Sequence, residues 1–287
     1  MSSRMPVFFL SHGGGPWPWL EDRRRMFDRS LRTFSALPER LPARPRAVLM
    51  ISGHWEEPAF TVTTSAEPPM EYDYYNFPEH TYRIRYAAPG SPALAARVQS
   101  LLAGAGIACD SDPERGFDHG AFVPMSLMYP AADVPLVQLA LKSGYDPAEH
   151  IRVGAALAPL RDEGVLIIGS GLTYHNMPGF RSSASLPVSQ LFEAYLNEAV
   201  TQPDPALRNQ MLTEWSQAPA ARDAHPREDH LLPLMVAAGA AGTDRGSRLL
   251  VEYAMNVIMV SYQFPAAPLA AASLSDPNTV NHEPAGA

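Results

Sequence analysis

The sequence predicts an α/β fold: a single three-layer domain with a central, mostly parallel or mixed sheet flanked by helices. Three observations predict it. Short apolar runs recur, PVFFL at 6–10, AVLMIS at 47–52 and VLIIGSG at 165–171, and runs of that length suit strands buried on both faces. Segments with helical apolar spacing separate them, the alternation of a sheet covered on both sides. Each run also opens into a loop that carries a histidine: His12, His54 and His175. In open α/β sheets, sites collect beyond the carboxyl ends of the strands, so the active site is expected there.

The elements follow in order. After the first strand and SHGGGPWPW, residues 23–37 read as a helix ending near Pro38. AVLMIS is the second strand, followed by GHWEEP, and FTVTT at 60–64 is a third. The aromatic, proline-broken stretch EYDYYNFPEHTYRIRYAAPG reads as a long loop shaping a site. PALAARVQSLLAGAG at 92–106 has helical spacing and a glycine stop. IAC is an edge element, PLVQLAL at 135–141 a strand and 148–160 a helix. After VLIIGSG come helices at 189–200, in LRNQMLTEW and in HLLPLMVAAGAA, and LLVEYAMNVIMVSYQF includes a final strand. Residues 1–267 are expected to form the catalytic domain and 268–287 a polar tail, in which His282 lies.

Composition narrows the function. The 287 residues suffice for a sizeable core. A net charge of −8 gives no electrostatic reason to bind nucleic acid or an anionic membrane. Cys109 is the one cysteine, which rules out an internal disulfide and any cysteine-built zinc or iron–sulfur site. Asp110 and Asp112 beside it disfavour a thiolate. No apolar stretch reaches membrane-spanning length, and the start lacks a signal-peptide pattern. A cytoplasmic protein, monomer or homodimer, is the expectation.

The histidines carry the chemistry. His12 in SHGGGP, His54 in SGHW, His119 in DHG, His175 in LTYHN and His230 in HPREDH all sit beside glycines, prolines or strand ends. Each alone also reads as an ordinary turn or sheet-edge residue. Gathered at one sheet edge, they read as a mononuclear metal site with imidazoles to spare for proton transfer. Glu56 follows His54 by two residues, points with it if the strand continues, and competes as a ligand in a two-histidine, one-carboxylate set. His225 and His230 are five apart. With Pro226 in a first helical turn, His225 falls at the cap and His230 one turn in. His80 and His150 read as surface residues. The aromatics Trp17, Trp19, Tyr72, Tyr74, Tyr75, Phe77, Tyr82 and Tyr86 suit either a pocket wall or loop packing, and Tyr129 and Tyr174 share that ambiguity. The GGG turn lacks phosphate-loop spacing, HExxH is absent, and Ser170 in GSG is no nucleophile elbow. A nucleotide enzyme, a zincin and a serine hydrolase are therefore disfavoured.

On the segments FLSHGGGP, SGHWEEP, YDYYNFPEHTYRIRYAAPG, DHGAFVPMSLMYP, IIGSGLTYHN and HPREDHLLPLMVAAGAAG, the chain resembles the class III extradiol ring-cleavage dioxygenases, in particular the 4,5-DOPA dioxygenase branch. The segments run in family order over nearly the whole fold. The resemblance implies a non-haem Fe(II), or Zn(II) in isolated protein, held by His12, His54 and His230. It implies His175 as the catalytic acid–base, and His119 and His225 as pocket histidines that hydrogen-bond substrate or bound oxygen; His119 is expected to share in catalysis, and Tyr174 and Trp17 are further substrate-binding candidates. The implied reactants are a small aromatic vicinal diol and O2, opened to a muconic semialdehyde. His230 stands where a related branch uses a glutamate, which lowers the case for Glu56. Many members of the branch read HGSP where this chain reads HGGGP. A zinc hydrolase on the same site and a non-catalytic metal-binding protein are the alternatives.

Overall fold

A computed structural model describes residues 4–265; the expected tail and His282 lie outside the described residues. Ten strands and nine α-helices are described. The strands are β1 (Val7–Ser11), β2 (Ala47–Ser52), β3 (Glu56–Glu57), β4 (Phe60–Thr63), β5 (Cys109–Asp112), β6 (Leu136–Gln138), β7 (Leu141–Lys142), β8 (Val165–Gly171), β9 (Ser247–Ala254) and β10 (Val257–Phe264). The helices are α1 (Glu21–Met26), α2 (Asp28–Arg40), α3 (Pro92–Gly104), α4 (His119–Met128), α5 (Pro147–Leu157), α6 (Ser185–Val200), α7 (Pro205–Thr213), α8 (Ala221–Ala224) and α9 (Leu232–Ala241).

The main sheet runs β6-β2-β8-β1-β10-β9. Its first four strands are parallel, and the closing hairpin β9–β10 is antiparallel, so the sheet is mixed. β1, β2 and β8 are buried at every residue, as strands covered on both faces must be. The pleat of β8 shows what covers them. Gly169 faces Pro233 and Gly171 faces His230, at the start of α9. Ser170 between them bonds Gly120 of α4. Neighbouring residues in a strand point to opposite faces, so α9 and α4 cover opposite sides and the fold has three layers. Behind α9 lies α5, and α2 packs on α4.

Many prolines are spent on helix starts. Pro92, Pro147 and Pro205 open α3, α5 and α7, each after a capping Ser91, Asp146 or Asp204 whose side chain accepts a backbone N–H. Such a cap contributes about 1 kcal/mol, and proline at the first helical position loses no hydrogen bond. α9 is buried along its whole length. The buried guanidiniums of Arg161 and Arg208 take up its last carbonyls, at Ala238, Ala240, Ala241 and Gly242.

Several local expectations are corrected. The first helix breaks at Phe27 into α1 and α2, and α2 continues through Pro38. PLVQLAL splits into β6 and β7, and IAC begins a strand only at Cys109, where β5 pairs with β4 in a separate small sheet. The last strand is a hairpin of two. The HPREDH segment is not helical: His225 closes α8, and α9 starts only at Leu232. His150 is fully buried rather than on the surface, whereas His80 is exposed. Burial, then Asp110, pushes the Cys109 thiol up to about 11. No helix among the described residues is long and apolar enough to cross a membrane.

Candidate metal centre

The end of β8 is the hub of the site. His12 N–H donates to the Gly171 carbonyl at 3.1 Å, Gly53 N–H to the Ser170 carbonyl at 2.9 Å, and Leu172 N–H to the His230 carbonyl at 3.0 Å. One strand end therefore holds the three segments that carry His12, His54 and His230. Gly171 is required for this: a Cβ there would stand 2.1 Å from the His230 carbonyl oxygen. On the other flank, Gly13 and Gly15 turn the chain with φ of +81° and +58°, values that favour glycine.

The three imidazoles converge. His54 Nε2 lies 3.1 Å from His12 Nε2 and 3.1 Å from His230 Nε2. Every outward nitrogen has an acceptor. His12 Nδ1 is 3.0 Å from Ser170 Oγ, whose own proton goes to the Gly120 carbonyl. His230 Nδ1 is 2.7 Å from Asp229 Oδ2, and His54 Nδ1 is 3.1 Å from Asp73 Oδ2. Protons thus sit on Nδ1 and lone pairs on Nε2. Burial, followed by the neighbouring imidazoles, holds His12 and His54 well below the usual histidine range. Burial also takes His230 down to about 4, against the pull of Asp229. All three rings are neutral near pH 7, the form that ligates. Facing lone pairs at this spacing repel unless a cation lies between them. Nitrogens about 2.1 Å from a shared ion at right angles stand about 3 Å apart. The residues fit a divalent metal.

Two further imidazoles join the cluster. His175, just beyond β8, stacks on His230 with ring centroids 3.4 Å apart, and its Nδ1 is 3.6 Å from Asp229 Oδ2. His119 opens α4. Its Nδ1 is 2.8 Å from Asp73 Oδ2, and its ring centroid is 3.9 Å from that of His54. Burial pushes both carboxyls up, but their histidine contacts win and hold Asp73 and Asp229 below the usual range. Asp118 caps α4 and accepts from Ser52, Gln138 and Arg115, which fixes the helix start that presents His119.

The cluster forms the floor of a cavity of about 360 Å³. His12, His54, His119, His175 and His230 all face it, and Tyr74, Tyr75 and Phe77 of the aromatic loop supply wall. Trp17, Tyr174 and His225 are not on the wall. Trp17 is buried against Phe27 and donates Nε1–H to the His12 carbonyl at 2.7 Å. Tyr174 packs on Phe180. His225 is fully buried between Phe192 and Trp215, and burial brings it down to about 3. Glu56 is outside the cluster too, bonded to Arg227 and Tyr145.

A model of the family described as the catalytic LigB subunit of aromatic ring-opening dioxygenase matches residues 9–265. The chain belongs to the LigB family. A 4,5-DOPA dioxygenase extradiol of Beta vulgaris is 40% identical over 85% of this chain and 90% of its own length. The dioxygenase tasH of Hapsidospora irregularis is 37% identical, over 91% and 86%. A crystal structure of the uncharacterized protein JW3007 from Escherichia coli K12 superposes with a TM-score of 0.76 at 32% identity, covering 91% of this chain and all of that one. With its histidine–aspartate metal clusters, this LigB-family chain is an enzyme of the extradiol dioxygenase type.

Sequence reasoning missed the residues that orient the imidazoles of the cluster. Asp229 adjoins His230 in HPREDH, and Ser170 lies in the quoted GSG, so both were visible without a role. Asp73 is 46 residues from His119, and no local pattern links them.

Proposed function

We propose that this chain is a non-haem Fe(II) extradiol dioxygenase that adds both atoms of O2 to a catechol-type ring and opens it to a muconic semialdehyde. One observation carries the reading: three neutral imidazoles turn bare Nε2 atoms to a single point on the floor of an aromatic-walled cavity. The names of the relatives, 4,5-DOPA dioxygenase extradiol among them, support the same substrate class.

His12, His54 and His230 would hold the metal; imidazole donors suit iron and also zinc. Ferrous iron held there would supply Lewis-acid and redox chemistry for the diol and dioxygen. Tyr74, Phe77 and Phe180 line the cavity and would exclude water from the ring's faces. His175 accepts a proton from the diol as it binds and returns one as the ring rearranges. Asp229, beside both His175 and His230, orients the carrier against the ligand. His119, fixed on Asp73, hydrogen-bonds charge developing on the reacting oxygen. One ring carbon–carbon bond breaks and both oxygen atoms stay in the product. The substrate's own electrons reduce dioxygen, so no further reductant is needed.

The test is anaerobic loading with Fe(II), then oxygen uptake across a panel of vicinal diols: DOPA, protocatechuate, simple catechols and bicyclic diols. Stoichiometric uptake with a ring-opened product is expected, and none from zinc-loaded protein. No uptake with any diol, at verified iron occupancy, rejects the reading.

A further inference from the structure

We propose that Arg23 and Arg181 form a two-guanidinium clamp on the cavity wall for a carboxylate on the substrate's side chain. The preferred substrate is then a diol-bearing arylalkanoic acid, rather than its zwitterionic or ammonium-bearing counterpart. The proposal rests on the ring-opening reading for the diol end of the substrate. The clamp itself rests on the other end of the cavity.

Both arginines line the cavity that the histidines floor. They arrive from different places. Arg23 is on α1, just after the glycine turn that follows His12, and its guanidinium lies over the Phe77 ring at 5.1 Å. Arg181 follows the short 3-10 turn Met177–Gly179 beyond His175. Among the described residues neither side chain makes an ion pair or a hydrogen bond. Among the described residues the one carboxylate on the wall, Asp73, is committed to His119 and His54. Burial and then the charge of Arg181 push Arg23 down from its ordinary value. Arg181 is exposed and Arg23 half-buried, so a ligand can reach both guanidiniums, and their planar forks suit a carboxylate.

The backbone holds Arg181 in place. Its φ is +70°, in the left-handed region that a side chain disfavours. It is pinned there by its N–H to the Met255 carbonyl at 2.8 Å and by Asn256 Nδ2 to its own carbonyl at 2.8 Å. The wall also selects against cations: an ammonium group would meet two guanidiniums and no free carboxylate.

The test uses iron-loaded protein with dihydrocaffeate, its primary amide and dopamine. Phenylpropanoate and its amide, which lack the diol, are titrated calorimetrically into the same protein. R23Q and R181Q should each raise KM for dihydrocaffeate about tenfold or more and leave the amide within about twofold. Arg23→Lys and Arg181→Lys, which keep the charge, should retain much of the preference. Phenylpropanoate should bind more tightly than its amide, and the Gln variants should erase the difference. Equal effects on acid and amide, or no preference for the acid in the unaltered protein, overturn the clamp. Absent oxygen uptake with charge-dependent phenylpropanoate binding intact rejects the ring-opening reading and supports the clamp.

Discussion

Asp73 grips His119 twice: its Oδ1 accepts the His119 backbone N–H at 3.0 Å, and its Oδ2 lies 2.8 Å from His119 Nδ1. The same Oδ2 is 3.1 Å from His54 Nδ1. One carboxylate therefore sets the orientation of two rings of the cluster, His54 and His119. Asp73→Asn puts an amide where two imidazoles need an acceptor. Metal affinity should fall by about tenfold to a hundredfold, with a further loss of turnover at full occupancy. Metal titration against a fluorescent chelator, then kinetics on the loaded variant, checks both.

Ser170 does for His12 what Asp73 does for His54. Ser170→Ala removes the acceptor of His12 Nδ1 and frees the ring to carry its proton on either nitrogen. Metal affinity should again drop by about tenfold or more. The lost bond to Gly120 should cost about 1–3 kcal/mol in urea unfolding.

His12→Ala and His230→Ala should each lower iron content, whereas His175→Ala should retain iron and lose oxygen uptake. Metal analysis beside an oxygen electrode separates the two classes. Unchanged iron in both ligand variants would reject those assignments, and normal uptake by His175→Ala would reject the proton carrier.

His150 is buried away from the cluster. Its Nδ1 faces the Asp146 carbonyl at 2.7 Å, and its Nε2 accepts the Lys142 N–H at 3.2 Å. Burial lowers it from the usual 6.5, with Asp146 and Glu149 opposing and Lys142 assisting. A depressed histidine stays neutral in the folded chain while the unfolded chain takes up a proton. Its contribution is therefore complete above pH 6.5. It is lost as pH falls below that value, by up to about 1.4 kcal/mol per pH unit. His150→Gln should flatten the acid side of the stability profile in chemical unfolding. An unchanged slope would show that the ring is protonated in the folded state.

The layers and the histidine loops were legible because both depend on short-range pattern. VLIIGSG can only be a buried strand, and a strand end followed by histidine is a local signal. What escaped depends on distance or on chemistry that composition does not encode. Asp73 reaches His119 only because the aromatic loop folds over α4. The helix expected over HPREDH failed because His230 must sit against Gly171, which calls for irregular backbone before α9. Trp17, Tyr174 and His225 carry chemically suggestive side chains, but burial assigns them to the packing behind the wall. Glu56 stands two residues from His54, yet it turns outward to Arg227.

The place of β8 between β1 and β2 also sets an order of events in the growing chain. β1 and β2 are not neighbours, so when the first two metal-facing histidines leave the ribosome nothing ties them together. They meet only once residues 165–171 are made, and the third arrives some sixty residues later in the count, at His230. The earliest strand waits longer still, because its other neighbour is β10, at the end of the described chain. The three imidazoles therefore come together late in synthesis: a chain that stops before His230 lacks the cluster altogether rather than carrying a weakened one.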